Sequence, residues 1–233
     1  QPLTLPANFP SEIPVPPEIA AWEGSFPRPR SDPRKLAEAV TETLARIRRA
    51  KRPVLMAGLE LYRERAELEF RRLAEKLRVP VVTTVDAKGV FPMDHPLHMG
   101  IYQGPFSVPA IGKRVREADL VLTLGTALTD MNLGAAKPEV RRERSIWALA
   151  DRVNVSFHQY TEVTLRDFVA GVASQKLPCF REEVTYHDNL ERRSSRRGRK
   201  KGETSLCVND LLLEVNDFLW AHPRYHVFAE SGD

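Results

Sequence analysis

Two histidines beside an acidic residue are the first side chains in this sequence that could do chemistry. His95 and His98 lie close together, with Asp94 adjacent, so metal binding is the function to consider. A catalytic zinc site needs three protein ligands. The remaining histidines show no complementary spacing; they are His158, His187, His222 and His226. We therefore interpret His95 and His98 as packing residues of a loop and predict no metal site.

Two glycines that follow predicted strands mark the places where a dinucleotide would bind. In the usual fingerprint, closely spaced glycines let the main chain approach a pyrophosphate at a helix N-terminus. The turn at Gly58 has a single glycine, followed by the bulky Leu59 and the anionic Glu60, and the turn at Gly125 is equally poor in glycine. The sequence thus argues against a nucleotide bound in the usual way, and Gly58 and Gly125 are interpreted as ordinary turn residues.

No side chain has the surroundings of a catalytic nucleophile. The sequence contains no nucleophile elbow, no paired acids with a defined geometry and no cysteine with a recognisable partner. Cys179 and Cys207 are too few for a disulfide framework, so free thiols in a reducing cytoplasm are expected. Residue types and spacing alone therefore define no active site.

The composition is that of a globular protein with one local concentration of charge. The 233 residues are 42% hydrophobic, which is enough for a sizeable core, and no apolar stretch is long enough to span a membrane. Seven of the ten residues from Arg192 to Lys201 are Arg or Lys and none is acidic, so the rest of the chain carries −3 although the whole carries +4. This run lacks interleaved aromatic residues. We expect a solvated loop there, rather than a site for nucleic acid or an anionic partner.

Alternating apolar runs and amphipathic helices fill the middle of the chain. Residues 1–31 are rich in proline and are expected to form an extended arm, after which Asp32 caps a helix that continues to Ala50. A capping box at Thr164 begins the last helix of this region, and Lys88–Gly104 is expected to be a loop. Buried strands are predicted at Pro53–Gly58, Val79–Val85, Asp119–Gly125, Ile146–Ala150 and Val153–Phe157. This order predicts an α/β fold over residues 32–174: a Rossmann-like doubly wound parallel sheet with helices on both faces.

The pattern changes after residue 174. Residues 175–206 include the basic run and are predicted to be a linker, because they are too long for a plain connection inside a compact domain. Residues 207–233 are predicted to form an apolar helix and a strand, Tyr225–Ala229, that belong to a further domain. Since the sequence begins at Gln1 and this strand has no partner, we expect the chain to be a piece of a longer protein.

Several segments along most of the chain match the pattern of one enzyme family. Residues 87–96 contain Lys-Gly and an aromatic-Pro-x-Asp-His-Pro run, and Arg52–Gly58 and Val79–Thr84 precede them as two strands. Gly100–Gly104 and Thr129–Gly134 follow in register, and His158–Phe168 closes the region. Together they resemble the central domain of thiamine-diphosphate-dependent enzymes of the pyruvate decarboxylase and indolepyruvate decarboxylase group. They are less similar to the acetolactate synthase branch, whose central domains often hold FAD.

The resemblance implies an active site that needs domains beyond this sequence. In the family, an activating glutamate comes from the N-terminal domain, and a Gly-Asp-Gly…Asn motif that holds Mg²⁺ and the diphosphate comes from the C-terminal domain. Neither is present here. Residues 228–233 resemble the start of that C-terminal domain, so Ser231, Gly232 and Asp233 are expected to approach thiamine diphosphate in the intact enzyme. No catalytic residue and no metal ligand is expected in this chain.

The resemblance also implies what the intact protein does. It is expected to be a cytoplasmic homo-oligomer and a carbon–carbon lyase that decarboxylates a 2-oxo acid with thiamine diphosphate and Mg²⁺. The chain alone is expected to be inactive and to bind no cofactor. Its partners are then the missing N- and C-terminal domains, and neither a membrane nor nucleic acid is expected. Two other functions stay open: a free-standing domain that binds FAD, ADP or NAD, and a binding module that uses the basic run.

Overall fold

The computed structural model describes residues 29–127, 129, 132, 134, 140–181, 208–222 and 224–225. The helices in these ranges are α1 (Pro33–Arg49), α2 (Glu60–Arg63), α3 (Glu67–Leu77), α4 (Pro109–Glu117), α5 (Leu165–Ser174) and α6 (Val208–Ala221). The strands are β1 (Pro53–Ala57), β2 (Val81–Thr84), β3 (His98–Tyr102), β4 (Leu120–Leu124), β5 (Ser145–Leu149), β6 (Arg152–Val155) and β7 (His158–Thr161). Short 3₁₀ turns lie at Val85–Ala87, Gly104–Phe106 and Arg142–Arg144.

The seven strands form one sheet in the order β3-β2-β1-β4-β5-β6-β7. The first five are parallel, as the alternation of strands and helices predicts, and the α/β fold class is confirmed. β6 and β7 are antiparallel to their neighbours, which differs from the fully parallel sheet expected from the sequence. The reason is connection length. Two residues join β5 to β6 and two join β6 to β7, whereas a parallel neighbour needs a crossover of about a dozen or more.

Helices cover both faces of the sheet. α1, α3 and α5 pack on one face, where their apolar side chains join Leu55 and Ala57 of β1 in the larger core. α4 packs on the other face and places Ile111 in a smaller core with Val54 and Met56 of the same strand. Successive residues of β1 therefore point into two different cores, which explains why the whole strand is buried and apolar.

Two helices begin where the sequence predicts. Asp32 accepts a hydrogen bond from the backbone N–H of Lys35 at 2.9 Å, and Pro33 is the first residue of α1. Thr164 accepts from the backbone N–H of Asp167 at 3.3 Å at the start of α5. Each side-chain oxygen satisfies a backbone donor that the first helical turn leaves unpaired. Both predicted helix starts are confirmed.

One strand lies inside a segment for which the sequence predicts a loop. The prediction for Lys88–Gly104 is wrong at β3, which is buried along most of its length. β3 begins at His98 and contains Gly100, so it lacks the run of apolar residues by which the other strands are found. Gly100 has φ +128°, and a Cβ added there would lie 2.7 Å from Cδ1 of Ile111 in α4. The positive φ therefore requires glycine at this point of the strand, and Ile111 of α4 packs closely over it.

Residues 29–31 meet the domain at the start of α5. The backbone N–H and the hydroxyl of Ser31 donate to Oδ2 of Asp167, at 3.1 and 2.7 Å. The Ser31 hydroxyl oxygen in turn accepts from the backbone N–H of Thr164 at 2.9 Å. Beside it, the N–H of Asp32 donates to the carbonyl of Glu162 at 2.8 Å. The chain is therefore attached to α5 before α1 begins, a contact that no sequence pattern indicates.

Asp167→Asn is expected to lower the free energy of unfolding by about 1 kcal/mol at neutral pH. Burial opposes the charged form, but hydrogen bonds from Ser31 and Thr164 outweigh it and hold the pKa of Asp167 below its usual 3.8. A carboxylate with a lowered pKa stabilises the folded state above the unfolded-state value, and this contribution disappears as the pH falls through the folded-state pKa. In urea unfolding, the deficit should therefore shrink in acid, while the exposed Asp94→Asn shows no deficit at any pH. A deficit that does not depend on pH would contradict this account.

Several predictions fall outside the described residues. These are the arm up to residue 28, the basic run and most of the predicted strand Tyr225–Ala229. The proposed division of the chain into arm, domain, linker and further domain stays a prediction. The apolar helix predicted after the linker is present as α6, and several of its large apolar side chains are exposed. Within the described ranges, no helix combines the length and the apolar character that crossing a membrane requires.

Candidate functional site

The strand order reverses between β1 and β4, the position at which ligands bind in open α/β sheets. Here the turns that follow these two strands touch each other. The N–H of Gly58 donates to the carbonyl of Leu124 at 2.9 Å, and a Cβ added to Gly58 would lie 2.0 Å from the carbonyl oxygen of Gly125. Gly125 itself has φ +67°. Both glycines are therefore required by a close approach of two main chains, which goes beyond the role of ordinary turn residues.

The short helix α2 cannot offer its N-terminus to a phosphate. The N–H of Glu60 donates to the carbonyl of Gly125 at 3.0 Å. The Glu60 carboxylate accepts from the N–H of Ala150 at 2.9 Å, which holds a negative charge at the same point. A pyrophosphate would need free amides and no neighbouring anion. The geometry therefore supports the sequence-based interpretation that no nucleotide binds here in the usual way.

Glu60→Gln is expected to raise the free energy of unfolding by up to about 1 kcal/mol at neutral pH. Desolvation by burial raises the pKa of Glu60 above its usual 4.5. Stability from a group with a raised pKa is present below the unfolded-state value and is lost as the pH rises through the folded-state pKa. Glutamine keeps an acceptor for Ala150 without this loss, so its advantage should grow from pH 4.5 upward. Urea unfolding at several pH values measures this, with the exposed Glu143→Gln as control; an advantage that grows in acid would contradict it.

The family-like loop at residues 87–96 is fixed to α3 by aromatic packing. Phe91 is fully buried. Its ring meets the ring of Phe70 edge to face, with centroids 5.7 Å apart, and lies 4.7 Å from the ring of His95. On the far side of His95, Glu75 of α3 accepts from the Arg71 guanidinium, which holds the pKa of Glu75 below its usual value. The loop is thus a packed part of the domain.

His95 in this loop and His98 at the start of β3 are each held by hydrogen bonds at both ring nitrogens. Nδ1 of His95 accepts from the N–H of Leu97 at 3.1 Å, so Nε2 carries the proton and faces Glu75 at 3.4 Å. Nδ1 of the buried His98 faces the carbonyl of Met93 at 3.4 Å, and its Nε2 lies 3.3 Å from the hydroxyl of Thr83. These contacts favour the packing interpretation of His95 and His98. Among the described residues, no group of three His, Cys, Asp or Glu side chains could hold a metal ion.

Asn132 joins the turns after β2 and β4. Its Nδ2 donates to Oδ2 of Asp86 at 3.0 Å and to the carbonyl of Ala127 at 2.8 Å. The other carboxylate oxygen of Asp86 accepts from the hydroxyl of Thr84 at 2.6 Å. Gly134, two residues on, has φ +60°, and a Cβ added there would lie 2.5 Å from the ring of Phe106. Within the family-like segment at 129–134, Asn132 and Gly134 therefore contact the turns at the carboxyl edge of the sheet and connect them to one another.

Asp86 is a site residue that no motif in the sequence indicated. The available signal was its position immediately after a predicted buried strand, where side chains in parallel sheets reach the carboxyl edge. Ser231, Gly232 and Asp233, which were predicted from the sequence to approach the cofactor, lie outside the described ranges. Their role stays a prediction.

Comparison with known proteins agrees with this fold. Residues 40–174, more than half of the chain, match the family model described as the central domain of thiamine pyrophosphate enzymes. The chain therefore belongs to the thiamine pyrophosphate enzyme family. The resemblance seen in its loops and strands is confirmed.

Three of the relatives that match this chain are named as decarboxylases. Pyruvate decarboxylase of Kluyveromyces lactis is 33% identical over 133 residues, which are 57% of this chain and 23% of the relative. Indole-3-pyruvate decarboxylase of Azospirillum brasilense is 32% identical over 134 residues, 58% of this chain and 25% of the relative. A probable pyruvate decarboxylase of Schizosaccharomyces pombe is 25% identical over 239 residues, 99% of this chain and 41% of the relative. The chain thus spans between 23% and 41% of the length of these relatives.

Proposed function

We propose that this chain is the organising central domain of a decarboxylase that acts on a 2-oxo acid with thiamine diphosphate and Mg²⁺. The match to the Schizosaccharomyces pombe protein carries the proposal, because it extends beyond the central domain over 99% of the chain. Its name and those of the two other relatives agree on decarboxylation. We further propose that the intact protein is a cytoplasmic homo-oligomer.

The described residues do not fit a diphosphate. At the switch point of the sheet, the place for such a group is filled by the contact between Gly58 and Gly125. Thiamine diphosphate supplies an electron sink for the carbanion left when CO₂ departs. In the proposal it is held by N- and C-terminal domains, with Ser231, Gly232 and Asp233 at its edge. The contribution of the described residues is then to hold those domains in place.

A domain exchange tests the proposal. Residues 32–174 of this chain would replace the matching segment of the Kluyveromyces lactis enzyme, and the chimera should form aldehyde and CO₂ from pyruvate. The chain by itself, given thiamine diphosphate, Mg²⁺ and pyruvate or indolepyruvate, should form neither product. A folded but inactive chimera, or aldehyde production by the chain alone, would contradict the proposal. Gly58→Ala in the chimera should lower the activity in step with the loss of folded protein.

A nucleotide-binding function is the alternative that shares this topology. The contact between the turns after β1 and β4 disfavours it, since α2 has its first amide bonded to Gly125. Titration calorimetry with FAD, ADP and NAD should show no binding to the chain. Micromolar binding of any of the three would support this alternative.

The third function, a binding module that uses the basic run, is tested by deletion. In a longer chimera that carries residues 32–206 of this chain, removing Arg192–Lys201 should leave the activity and its salt dependence unchanged. A loss of activity, or a changed response to salt, would give this run a role in the enzyme.

A further inference from the structure

Exposed cationic side chains gather at the amino edge of the sheet, where β1, β4 and β5 begin. Arg48 and Arg49 end α1, Lys51 precedes β1, and Arg141 precedes β5; we call these four residues the basic rim. Helix C-termini meet at this edge of an α/β domain, and their negative partial charge favours cations there. That effect accounts for Arg48 and Arg49. It does not account for Lys51 and Arg141, which lie outside the helices.

The segments that carry the basic rim form one continuous surface. Side-chain hydrogen bonds join the end of α1 to the turn before β5, and that turn to the end of α4. A third hydrogen bond joins Asp119, which precedes β4, to Lys51, which precedes β1. The contacts are Arg46 to the carbonyl of Glu143, Arg144 to the carbonyl of Ala118 at 2.9 Å, and the N–H of Lys51 to the carboxylate of Asp119 at 2.6 Å. The four cations therefore surround one edge of the sheet instead of lying on separate surfaces.

The rim cations have no carboxylate partner for their side chains within the described residues, although Asp119 accepts from the backbone N–H of Lys51. Other arginines at this edge have structural partners: Arg114, for example, donates to the carbonyls of Arg52 and Pro53. In contrast, the side chains of the four rim residues have no hydrogen bond or ion pair within the described part of the chain. Their charge is available to a partner.

An exposed aromatic side chain lies beside the rim. Phe157 at the tip of the β6–β7 hairpin is 66% exposed. The guanidinium of Arg142 lies 5.7 Å above its ring, and Nε of Arg142 donates to the carbonyl of Ser156 at 3.2 Å, which fixes the tip next to Arg141. Aromatic residues and arginine are enriched in protein–protein interfaces, where lysine is depleted. Three of the four rim cations are arginines. A nucleic-acid strand would need a series of rings on which successive bases stack. Phe157 is a single ring and Arg142 lies over one of its faces, so a protein partner fits this surface better.

We propose that the basic rim and Phe157 form a docking surface for an acidic protein surface. Carboxylates of the partner would pair with the guanidiniums, and an apolar group would cover the Phe157 ring. This surface lies at the opposite edge of the sheet from the Gly58–Gly125 contact. The proposal therefore does not depend on the decarboxylase function.

Two labelled peptides test the proposal with the full chain. One is rich in glutamate with a central leucine pair, and the other has serine in place of the leucines at the same charge. Fluorescence anisotropy should show tighter binding of the leucine peptide. Neutralising Arg48, Arg49 and Arg141 with glutamine should weaken both peptides by about tenfold or more. Phe157→Ser should remove the preference for leucine and leave the serine peptide unaffected.

Matched variants separate this surface from other cations. Neutralising Arg34, Arg63 and Arg166 at the opposite edge removes the same charge and should change binding by less than about twofold. Replacing the cations of 192–201 with serine should leave the leucine preference intact. Lys51→Gln with Arg141→Gln tests the rim without altering α1, in case the triple variant is unstable. Loss of the preference only in the 192–201 variant, or tighter binding of a single-stranded oligonucleotide of equal charge, would overturn the proposal.

Discussion

Gly58→Ala is expected to lower the free energy of unfolding by about 3 kcal/mol or more. The added Cβ would lie 2.0 Å from the carbonyl oxygen of Gly125 and 2.3 Å from Cα of Thr126. Both are main-chain atoms, so no side-chain rotation relieves the clash and the two turns must separate. The damage falls at the centre of the sheet, where β1 and β4 pair along their whole length. Urea unfolding followed by circular dichroism measures the loss.

Gly112→Ala is the matched control. Its Cβ would meet only Nη1 of Arg116 at 3.1 Å, the far end of a flexible side chain. Gly112 lies inside α4, where alanine is favoured over glycine by about 1 kcal/mol. This variant should be as stable as the parent or slightly more so. If the two alanine variants proved equally stable, the turns after β1 and β4 would not be in contact.

Phe91→Ala is expected to cost about 3–5 kcal/mol, because it removes a fully buried ring and leaves a cavity. The cavity would lie between the loop at 87–96 and α3, where Phe91 packs on Phe70 and His95. The loop should therefore become accessible to protease under conditions in which the parent resists cleavage. Thermal unfolding and limited digestion measure the two effects.

Phe106→Ala tests whether any phenylalanine near the sheet edges has this effect. Phe106 is 74% exposed, so its removal should change stability by no more than about 0.5 kcal/mol. Protection of the loop at 87–96 should be unchanged. A Phe91→Ala variant that behaves like Phe106→Ala would show that the loop is not packed as described.

Much of the fold could be predicted because local signals agree with tertiary packing. The cap at Asp32 and the apolar run of β1 are examples: a capping side chain needs only its own turn, and a strand buried on both faces must be apolar throughout. β3 could not be found in this way, since its Gly100 is set by the approach of Ile111 from a helix later in the chain. The two-residue connection before β6 would have predicted that β6 runs antiparallel to β5. Apolar character alone wrongly indicated a parallel strand.

The candidate site was less predictable than the fold. Family resemblance located the segments at 87–96 and 129–134, but their physical roles depend on partners far away in sequence. Asn132 bonds Asp86 across 46 positions, and Ser31 bonds Asp167 across 136. Such pairs leave no periodic pattern. Gly58 shows the same limit, because glycine is required there by the contact with Gly125, in the turn after β4.

The attachment of Ser31 to α5 has a consequence for how this domain connects to neighbouring segments. Ser31 lies at the carboxyl edge, since Leu165 beside it bonds the carbonyl of Ala150, just after β5. The later segment leaves from the opposite side, where the N–H of Phe180 bonds Leu77 at the end of α3. Entry and exit are thus separated by at least the length of α5, about 15 Å. A tag joined before Ser31 and one joined after Phe180 would therefore start from different edges of the sheet.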